Sequence, residues 1–410
     1  MNRLRSGWLQ FSLVSAFFFQ VTAATFTSLG VVLPLMIDEF EWTWSDAGLG
    51  FSILALLVGI ASRVPALTLQ RFGARTTFIA GGLLMAAGHA LIATTAHLYQ
   101  YYAGTAALGF GYTLCALIPG VAVINRCLPN QRSFAIGAYM MIGGLGGVAG
   151  PMIVTSVVAA GASWRAHWWL LVASISALVI LAIWVLDGAT HRDDEANDED
   201  VPAENRSPNV FVTSVQWAYR DIVKTPQFVI IVMAQSLTLL TGLTTNTWAA
   251  SHMGNLGIGA AIAAGALSAH ALVNASSRVL GGWLATRIDP KWLLCAALAM
   301  ESVGMLALSV ADSVPMIGLF AIGEGVGFGM CMYASTMLLI NYFGSRDSAK
   351  AMGTMYFIGT IGMVGPYLSG RYADWVGGFG DVFQFYAIAT AITMVVVFGM
   401  RPPAPLAQDT

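Results

Sequence analysis

The chain has 410 residues, of which 57% are hydrophobic and 10% charged, with a formal net charge of -2 at pH 7. Soluble domains carry roughly 25% charged residues, so this composition excludes an ordinary soluble protein and indicates an integral membrane protein. The four cysteines show neither metal-ligand nor disulfide-framework spacing, and we expect no metal, no cofactor and no nucleic-acid partner.

Apolar runs long enough to cross a bilayer recur along the whole chain, since a spanning helix needs about 20 residues. We predict twelve of them, at 9–36, 46–68, 76–95, 99–125, 134–160, 167–187, 227–251, 258–285, 291–312, 315–342, 348–373 and 379–400. The runs lack a period of two, which excludes barrel strands. The first run is too long for the hydrophobic region of a signal peptide, so we interpret it as a span.

Positive charge lies mostly on one side of this layout. Of the 19 Lys and Arg residues, all fall in loops on one face except four, which are Arg63 and Arg278 inside spans and Arg165 and Arg371 at the other face. The positive-inside rule then places both termini in the cytoplasm. We expect a multi-pass protein of the cell inner membrane.

The longest polar break, 188–226, separates two sets of six spans. It contains "HRDDEANDEDVPAENRSPN", an acidic run that cannot bury enough apolar surface to fold by itself. We predict a cytoplasmic linker between an N-terminal bundle, 1–187, and a C-terminal bundle, 227–410. A solvated tether is the favoured interpretation over an acidic partner-binding site.

The two halves repeat each other. Eight residues recur 216 positions later, namely Gly109, Gly111, Cys115, Ile124, Asn125, Gly137, Gly143 and Gly146, and the two intramembrane arginines are related by 215 positions. The predicted fold class is therefore all-α integral membrane, with twelve transmembrane helices in two pseudo-symmetric six-helix bundles. Such duplication is a transporter architecture, with a substrate site near the midplane between the halves.

Two predicted loops carry degenerate copies of a known sequence signature. "ALTLQRFGAR" keeps Arg71, Gly73 and Arg75, and "GWLATRIDPK" keeps Gly282, Arg287 and Lys291, while the acidic position is lost in both. The chain thus resembles the major facilitator superfamily over nearly its whole length. Within it, "LGVVLPLMIDEFEWTWSDAGLGFSI", "IPGVAVINRCLP" and "YRDIVKTPQFVIIVMAQ" resemble the monocarboxylate and oxalate:formate transporter families.

Span eight carries a polar stripe around a charge. Arg278 lies nine residues before Arg287, about 13 Å into the bilayer, and shares a helix face with His270 and Asn274. An intramembrane charge normally faces a cavity or a partner. Because a guanidinium fork matches a carboxylate, we predict that Arg278 binds the substrate and Asn274 assists. The alternative is a structural arginine paired with Glu301 or Glu324.

Five further residues complete the predicted substrate site. The resemblance implies a pocket role for Tyr333, and Arg63 is a second cationic contact or else a packing or gate residue. Tyr139, Tyr356 and Phe357 are weaker candidates, for which core or lipid-facing packing is the default interpretation.

Anion uptake against an inside-negative potential of 100 mV costs about 2.3 kcal/mol, which a co-transported proton cancels. Asn274 cannot titrate, so His270 is the first proton candidate and Glu324 the second. Protonation of the bound substrate is a third route. A packed neutral imidazole is the competing interpretation for His270.

We therefore expect a proton-coupled transporter of small organic acid anions, with the anion, protons and the lipid bilayer as partners. A drug exporter is the alternative, because Gly137, Gly146, Gly150 and Pro151 resemble part of an exporter motif. Organic anion exchange also stays open. No nucleophile motif or metal spacing indicates an enzyme.

Overall fold

The computed structural model describes residues 2–186, 210–285, 287–344 and 347–403, which form helices joined by turns. In chain order the α-helices are α1 (Asn2–Thr22), α2 (Ser28–Phe40), α3 (Trp44–Ile60), α4 (Val64–Ala93), α5 (Leu98–Cys115), α6 (Leu117–Cys127), α7 (Arg132–Ala159), α8 (Trp164–Val185), α9 (Tyr219–Ile222), α10 (Pro226–Asn255), α11 (Ala260–Leu284), α12 (Pro290–Val310), α13 (Val314–Phe343), α14 (Ser348–Gly359), α15 (Gly365–Val376) and α16 (Gly380–Gly399).

Nine segments of the described chain are long and apolar enough to cross a membrane. One of them, Trp44–Ala93, has 50 residues and holds two predicted spans. Gly73 separates these two spans at a φ of 78°, a backbone conformation that glycine adopts without strain. The other predicted spans fall on α11 and on the pair α14 and α15. The all-α class is confirmed, and the helices accommodate all twelve predicted spans.

The first span is interrupted by a π-helical turn, Ala23–Thr27. Local hydroxyls bond the carbonyls at this turn: Thr25 Oγ1 donates to the carbonyl of Val21 at 2.7 Å, and Ser28 Oγ donates to that of Ala23 at 2.6 Å. An unsatisfied carbonyl in lipid costs several kcal/mol. The hydroxyls of this stretch therefore stabilise an irregular turn within a membrane span.

The described helices form two compact units. The first contains the described part of Met1–Asn197 together with Asn246–Leu272 and Pro366–Gly377. In this unit α4 packs against α5 and α8, and α1 packs against α7. Its largest fully buried side chains include Phe17, Phe51, Phe78, Tyr101 and Trp168.

The second unit contains the described parts of Asp198–Thr245, Val273–Gly365 and Gly378–Thr410. Here α12 packs along α13 and α16. Its core is formed by buried residues such as Leu294, Leu298, Leu338, Tyr342 and Phe343.

The predicted linker is packed where the structure describes it. Phe211 N donates to Asp289 Oδ2 at 3.0 Å, and Thr213 N donates to the carbonyl of Asn341 at 2.8 Å. Trp217 is buried in the core of the second unit. This unit therefore begins before α10, and the apolar residues in "VFVTSVQW" are the sequence signal for it.

The acidic run 191–209 and Thr286, the lost acidic position of the second signature copy, lie outside the described residues. The division into 1–187, 188–226 and 227–410 stays a prediction. Helices α10 and α11 each contribute residues to both compact units.

Candidate functional site

Arg278 lies near the C-terminal end of α11, and its guanidinium is held by the residue one turn earlier. Nε of Arg278 donates a hydrogen bond to Oδ1 of Asn274 at 3.1 Å. This contact orients the guanidinium plane. A guanidinium presents paired N–H donors whose spacing matches a carboxylate. The structure thus brings together the two predicted ligands at the centre of the stripe.

The direction of Arg278 follows from its neighbours on α11. Ser277 is buried, and its Oγ donates to the carbonyl of Gly325 in α13 at 3.3 Å. Val279 and Trp283 are 77% and 52% exposed. Successive residues of an α-helix are rotated by about 100° around the helix axis. The exposed Arg278 is therefore rotated by about 100° from Val279 and by about 140° from Trp283. Arg278 therefore occupies the sector between the face packed on α13 and the exposed apolar stripe.

Tyr333 lies beside this sector. Its half-buried ring packs against the backbone of Gly281 and Gly282, where an added Cβ would stand 3.2 and 3.8 Å from ring atoms. The two glycines follow Arg278 by one turn. Tyr333 of α13 thus packs on α11 one turn after Arg278, and its pocket role stays a prediction.

Glu301 has partners other than the predicted arginine. The carboxylate is fully buried in α12 and accepts a hydrogen bond from Thr238 Oγ1 at 2.8 Å. Thr241 Oγ1 also donates to it. Both hydroxyls come from α10, where Thr238, Thr241 and Thr245 follow one another at helical spacing on one face. Sequence reasoning missed this site, although that spacing is a readable signal.

His270 and Glu324, the two proton candidates, are both buried. His270 belongs to the part of α11 that packs on α7, where Ser268 Oγ donates to the carbonyl of Val148 at 2.8 Å. Glu324 lies in α13 where that helix closely approaches Gly304 of α12. His270 lies in the first compact unit and Glu324 in the second.

The other predicted substrate residues have diverse surroundings. Tyr139 is fully buried, and its hydroxyl donates to the carbonyl of Ala116 at 2.9 Å. Arg63 is exposed in a short 3-10 turn, Ala61–Arg63. Tyr356 is exposed and its hydroxyl is 3.2 Å from Thr336 Oγ1. Phe357 is highly exposed.

A further polar contact in the first unit joins α15 to the beginning of α3. The carboxylate of Asp374 accepts hydrogen bonds from the backbone N–H groups of Trp44 and Ser45, both at 2.9 Å. These groups have no intrahelical acceptor because they begin α3. Trp248 Nε1 donates to the carbonyl of Pro366 at 2.9 Å in the same unit. The sequence offered no signal for the Asp374 contact.

Comparison with known proteins adds to this geometry. The sequence profile of the Major Facilitator Superfamily matches residues 13–363 and 234–410. Monocarboxylate transporter 11 of Homo sapiens is 27% identical over 376 residues, which cover 87% of this chain and 75% of that protein. Monocarboxylate transporter 4 of Gallus gallus is 22% identical over 382 residues, covering 90% of this chain and 77% of that protein.

Among solved structures, a bacterial homolog of the human lysosomal transporter Spinster, in an inward-facing and unoccupied conformation, is similar with a TM-score of 0.70. The two are 15% identical, and the similarity covers 96% of this chain and 94% of that one. This likeness supports the fold. The predicted resemblance to the superfamily and to monocarboxylate transporters is confirmed.

Proposed function

Because the chain belongs to the Major Facilitator Superfamily, we propose that it is a proton-coupled secondary transporter of small organic acid anions that works by alternating access. The observation that mainly supports an organic acid anion as the substrate is the contact between Arg278 and Asn274. The resemblance to monocarboxylate transporters supports the same class. In this proposal the protein lies in the cell inner membrane with both termini in the cytoplasm.

The anion assignment rests on the cost of an intramembrane charge. An arginine at the centre of a spanning helix costs roughly 2.5 to 3.5 kcal/mol on insertion scales, and one nearer the end, such as Arg278, still needs a polar partner or access to the interface. Arg278 lies between the face of α11 packed on α13 and the exposed apolar stripe, and Asn274 Oδ1 accepts a hydrogen bond from its Nε. A substrate carboxylate that bonds the Nη nitrogens would compensate the charge, and Tyr333 would cover the bound anion.

Proton coupling accounts for inward transport of an anion. Inward movement of one negative charge costs about 2.3 kcal/mol per 100 mV of inside-negative potential, and a proton that moves with it removes this cost. His270 and Glu324 are the proton carriers predicted from sequence. Their burial in the described conformation fits a group that is shielded from water during part of the cycle.

Uptake into proteoliposomes tests the proposal. Radiolabelled pyruvate, lactate and benzoate are offered from outside with the external pH below the internal pH. We expect uphill uptake of at least one of them, abolished by a protonophore. Uptake that requires an internal anion would instead identify an exchanger. Outward movement of an amphipathic dye, with no carboxylate uptake, would identify an exporter and contradict the proposal.

Arg278→Lys tests the role of the arginine. Lysine keeps the charge and loses the planar fork. Hydrogen bonds to charged groups contribute about 1.5 to 3 kcal/mol, so we expect KM to rise by about tenfold to hundredfold. Arg220→Lys is the matched control, because Arg220 is exposed on the four-residue helix α9. An unchanged KM in Arg278→Lys would count against substrate binding by Arg278.

A further inference from the structure

The hydroxyls around Glu301 each have a second acceptor. Thr238 Oγ1 lies 2.8 Å from Glu301 Oε2 and 3.1 Å from Cys331 Sγ. Thr241 Oγ1 contacts Glu301 Oε1 and also lies 3.0 Å from the carbonyl oxygen of Thr238. A hydroxyl has one proton to donate and two lone pairs with which to accept. Each threonine can therefore donate either to the carboxylate or to its alternative acceptor.

This arrangement satisfies both protonation states of the carboxyl group. When Glu301 is charged, both hydroxyls donate to it. When Glu301 is neutral, its own O–H donates to one hydroxyl, and that hydroxyl redirects its proton to Cys331 Sγ or to the carbonyl of Thr238. Because unsatisfied polar groups in a buried site are costly, a site that serves both states lowers the cost of changing between them.

Glu301 is fully buried, and the helices around it are closely packed. An ideal Cβ added to Gly327 would lie 2.5 Å from Cβ of Glu301, so α13 reaches α12 closely at this point. The titratable groups that α13 brings near the carboxylate are Glu324, which acts on it electrostatically, and Cys331. On its other side α12 meets α16 through Ser302 Oγ, which donates to the carbonyl of Ala387 at 2.7 Å.

Among the residues that the structure describes, the Glu301 carboxylate has no cationic hydrogen-bond partner. Within the described part of the chain, the hydrogen-bond partners of the Glu301 carboxylate are hydroxyl groups. A lone charge buried in a membrane protein is expensive, and a second carboxylate nearby adds repulsion when both groups are charged. A fixed, purely structural negative charge would therefore be costly here, whereas a carboxyl group that is neutral for part of the cycle avoids that cost during that part.

We propose that Glu301, in place of the sequence candidates His270 and Glu324, binds the proton that is co-transported with the anion, and that Thr238 and Thr241 keep the carboxyl hydrogen-bonded in both of its states. This proposal deepens the proposed function and rests on it. In each cycle one proton from water on the acidic side bonds to a carboxylate oxygen of Glu301. The same bond breaks when the proton returns to water on the other side, and the threonines retain their own protons.

Glu301→Gln in proteoliposomes provides the transport test. The amide has the shape of the acid and cannot titrate. A gradient of one pH unit, equivalent to about 1.4 kcal/mol, supports about tenfold accumulation at 1:1 coupling. We expect the wild type to accumulate labelled pyruvate, lactate or benzoate in this way and Glu301→Gln to reach only equilibrium, while it still exchanges labelled for unlabelled substrate at equal pH. Gradient-driven accumulation by Glu301→Gln would overturn the proposal.

Ser302→Ala is the matched control, because it removes a polar group from the next position of α12 on the side facing α16. It should accumulate substrate as the wild type does. Thr238→Val should shift the pH dependence of uptake, and Thr238→Ser, which restores the hydroxyl, should reverse that shift. An effect of Ser302→Ala equal to that of Glu301→Gln would indicate a general packing defect and contradict the proposal.

Infrared difference spectra of the purified protein in lipid test proton binding without any substrate. Between about pH 5 and pH 9 we expect a carboxyl C=O band that titrates and is missing in Glu301→Gln. If Glu301→Gln does not fold, Thr238→Val must move this band, since the carboxyl loses a hydrogen-bond partner. A spectrum without such a band overturns the proposal. Titration without carboxylate uptake would instead show that the proposed function fails while proton binding by Glu301 stands.

Discussion

Asp374→Asn tests whether a single carboxylate holds the beginning of α3 against α15. The carboxylate accepts hydrogen bonds from the first two N–H groups of the helix, Trp44 N and Ser45 N, each at 2.9 Å. An asparagine has one oxygen in place of two and no charge. The substitution therefore removes one hydrogen bond and weakens the other.

The magnitude follows from the geometry. Side-chain contacts to orphan N–H groups at a helix start contribute about 0.5 to 2 kcal/mol, and a negative charge at a helix N-terminus contributes about 0.3 to 1 kcal/mol. Asp374 is exposed, so water screens part of this interaction. We therefore expect Asp374→Asn to weaken the contact by about 1 kcal/mol. This loss increases the population in which the contact is open by about fivefold.

Hydrogen exchange read by mass spectrometry measures this population directly, because the two donors are themselves amide groups. The peptide that covers the start of α3 should exchange about fivefold faster in Asp374→Asn than in the wild type. Asp381→Asn is the matched control, since Asp381 is an exposed aspartate in the first turn of α16. Equal exchange in Asp374→Asn and the wild type, or the same acceleration in Asp381→Asn, would refute the reasoning.

Two further predictions concern stability. Gly327→Ala should lower the thermal unfolding temperature because the new Cβ meets Glu301 at 2.5 Å, an overpacking that costs about 1 to 3 kcal/mol, whereas Gly353→Ala, with open space around it, should not. Asp289→Ala removes the side chain that caps α12 and accepts a hydrogen bond from Phe211 N. It should lower the free energy of unfolding by about 1 kcal/mol and speed hydrogen exchange in residues 210–219. Unchanged exchange in these residues would contradict the contact.

Much of the fold was predictable because a bilayer imposes one length on every span. The apolar runs therefore marked the helices, and Gly73 is the turn that the first loop signature had indicated. The contact between Asn274 and Arg278 was also predictable, since residues four apart on a helix are neighbours. These features depend on local spacing, which a single sequence displays.

The remaining features depend on contacts between helices that are distant in sequence, and local residue spacing does not predict such contacts. Tyr139 is a pocket candidate by its position in the fifth span, yet its hydroxyl bonds the carbonyl of Ala116, at the break between α5 and α6. The partner of Asp374 lies 330 residues earlier in the chain. The threonines of α10 were visible as a helical face, but only the packing of α10 beside α12 shows that this face meets Glu301.

The glycine spacing in α13 predicts a close helix approach but does not identify the residues that are approached. The spacing of Gly323 and Gly327 indicates a close helix approach, and the structure shows that the approached residues are Gly304 and Glu301 of α12. The same approach that packs the two helices therefore lies directly beside Glu301, whose side chain is fully buried. It follows that Gly327→Ala should change the pH dependence of transport as well as stability, because any displacement of α12 moves Glu301 relative to Thr238 of α10. A variant that lost stability and kept the wild-type pH profile would separate the packing of α12 and α13 from proton binding.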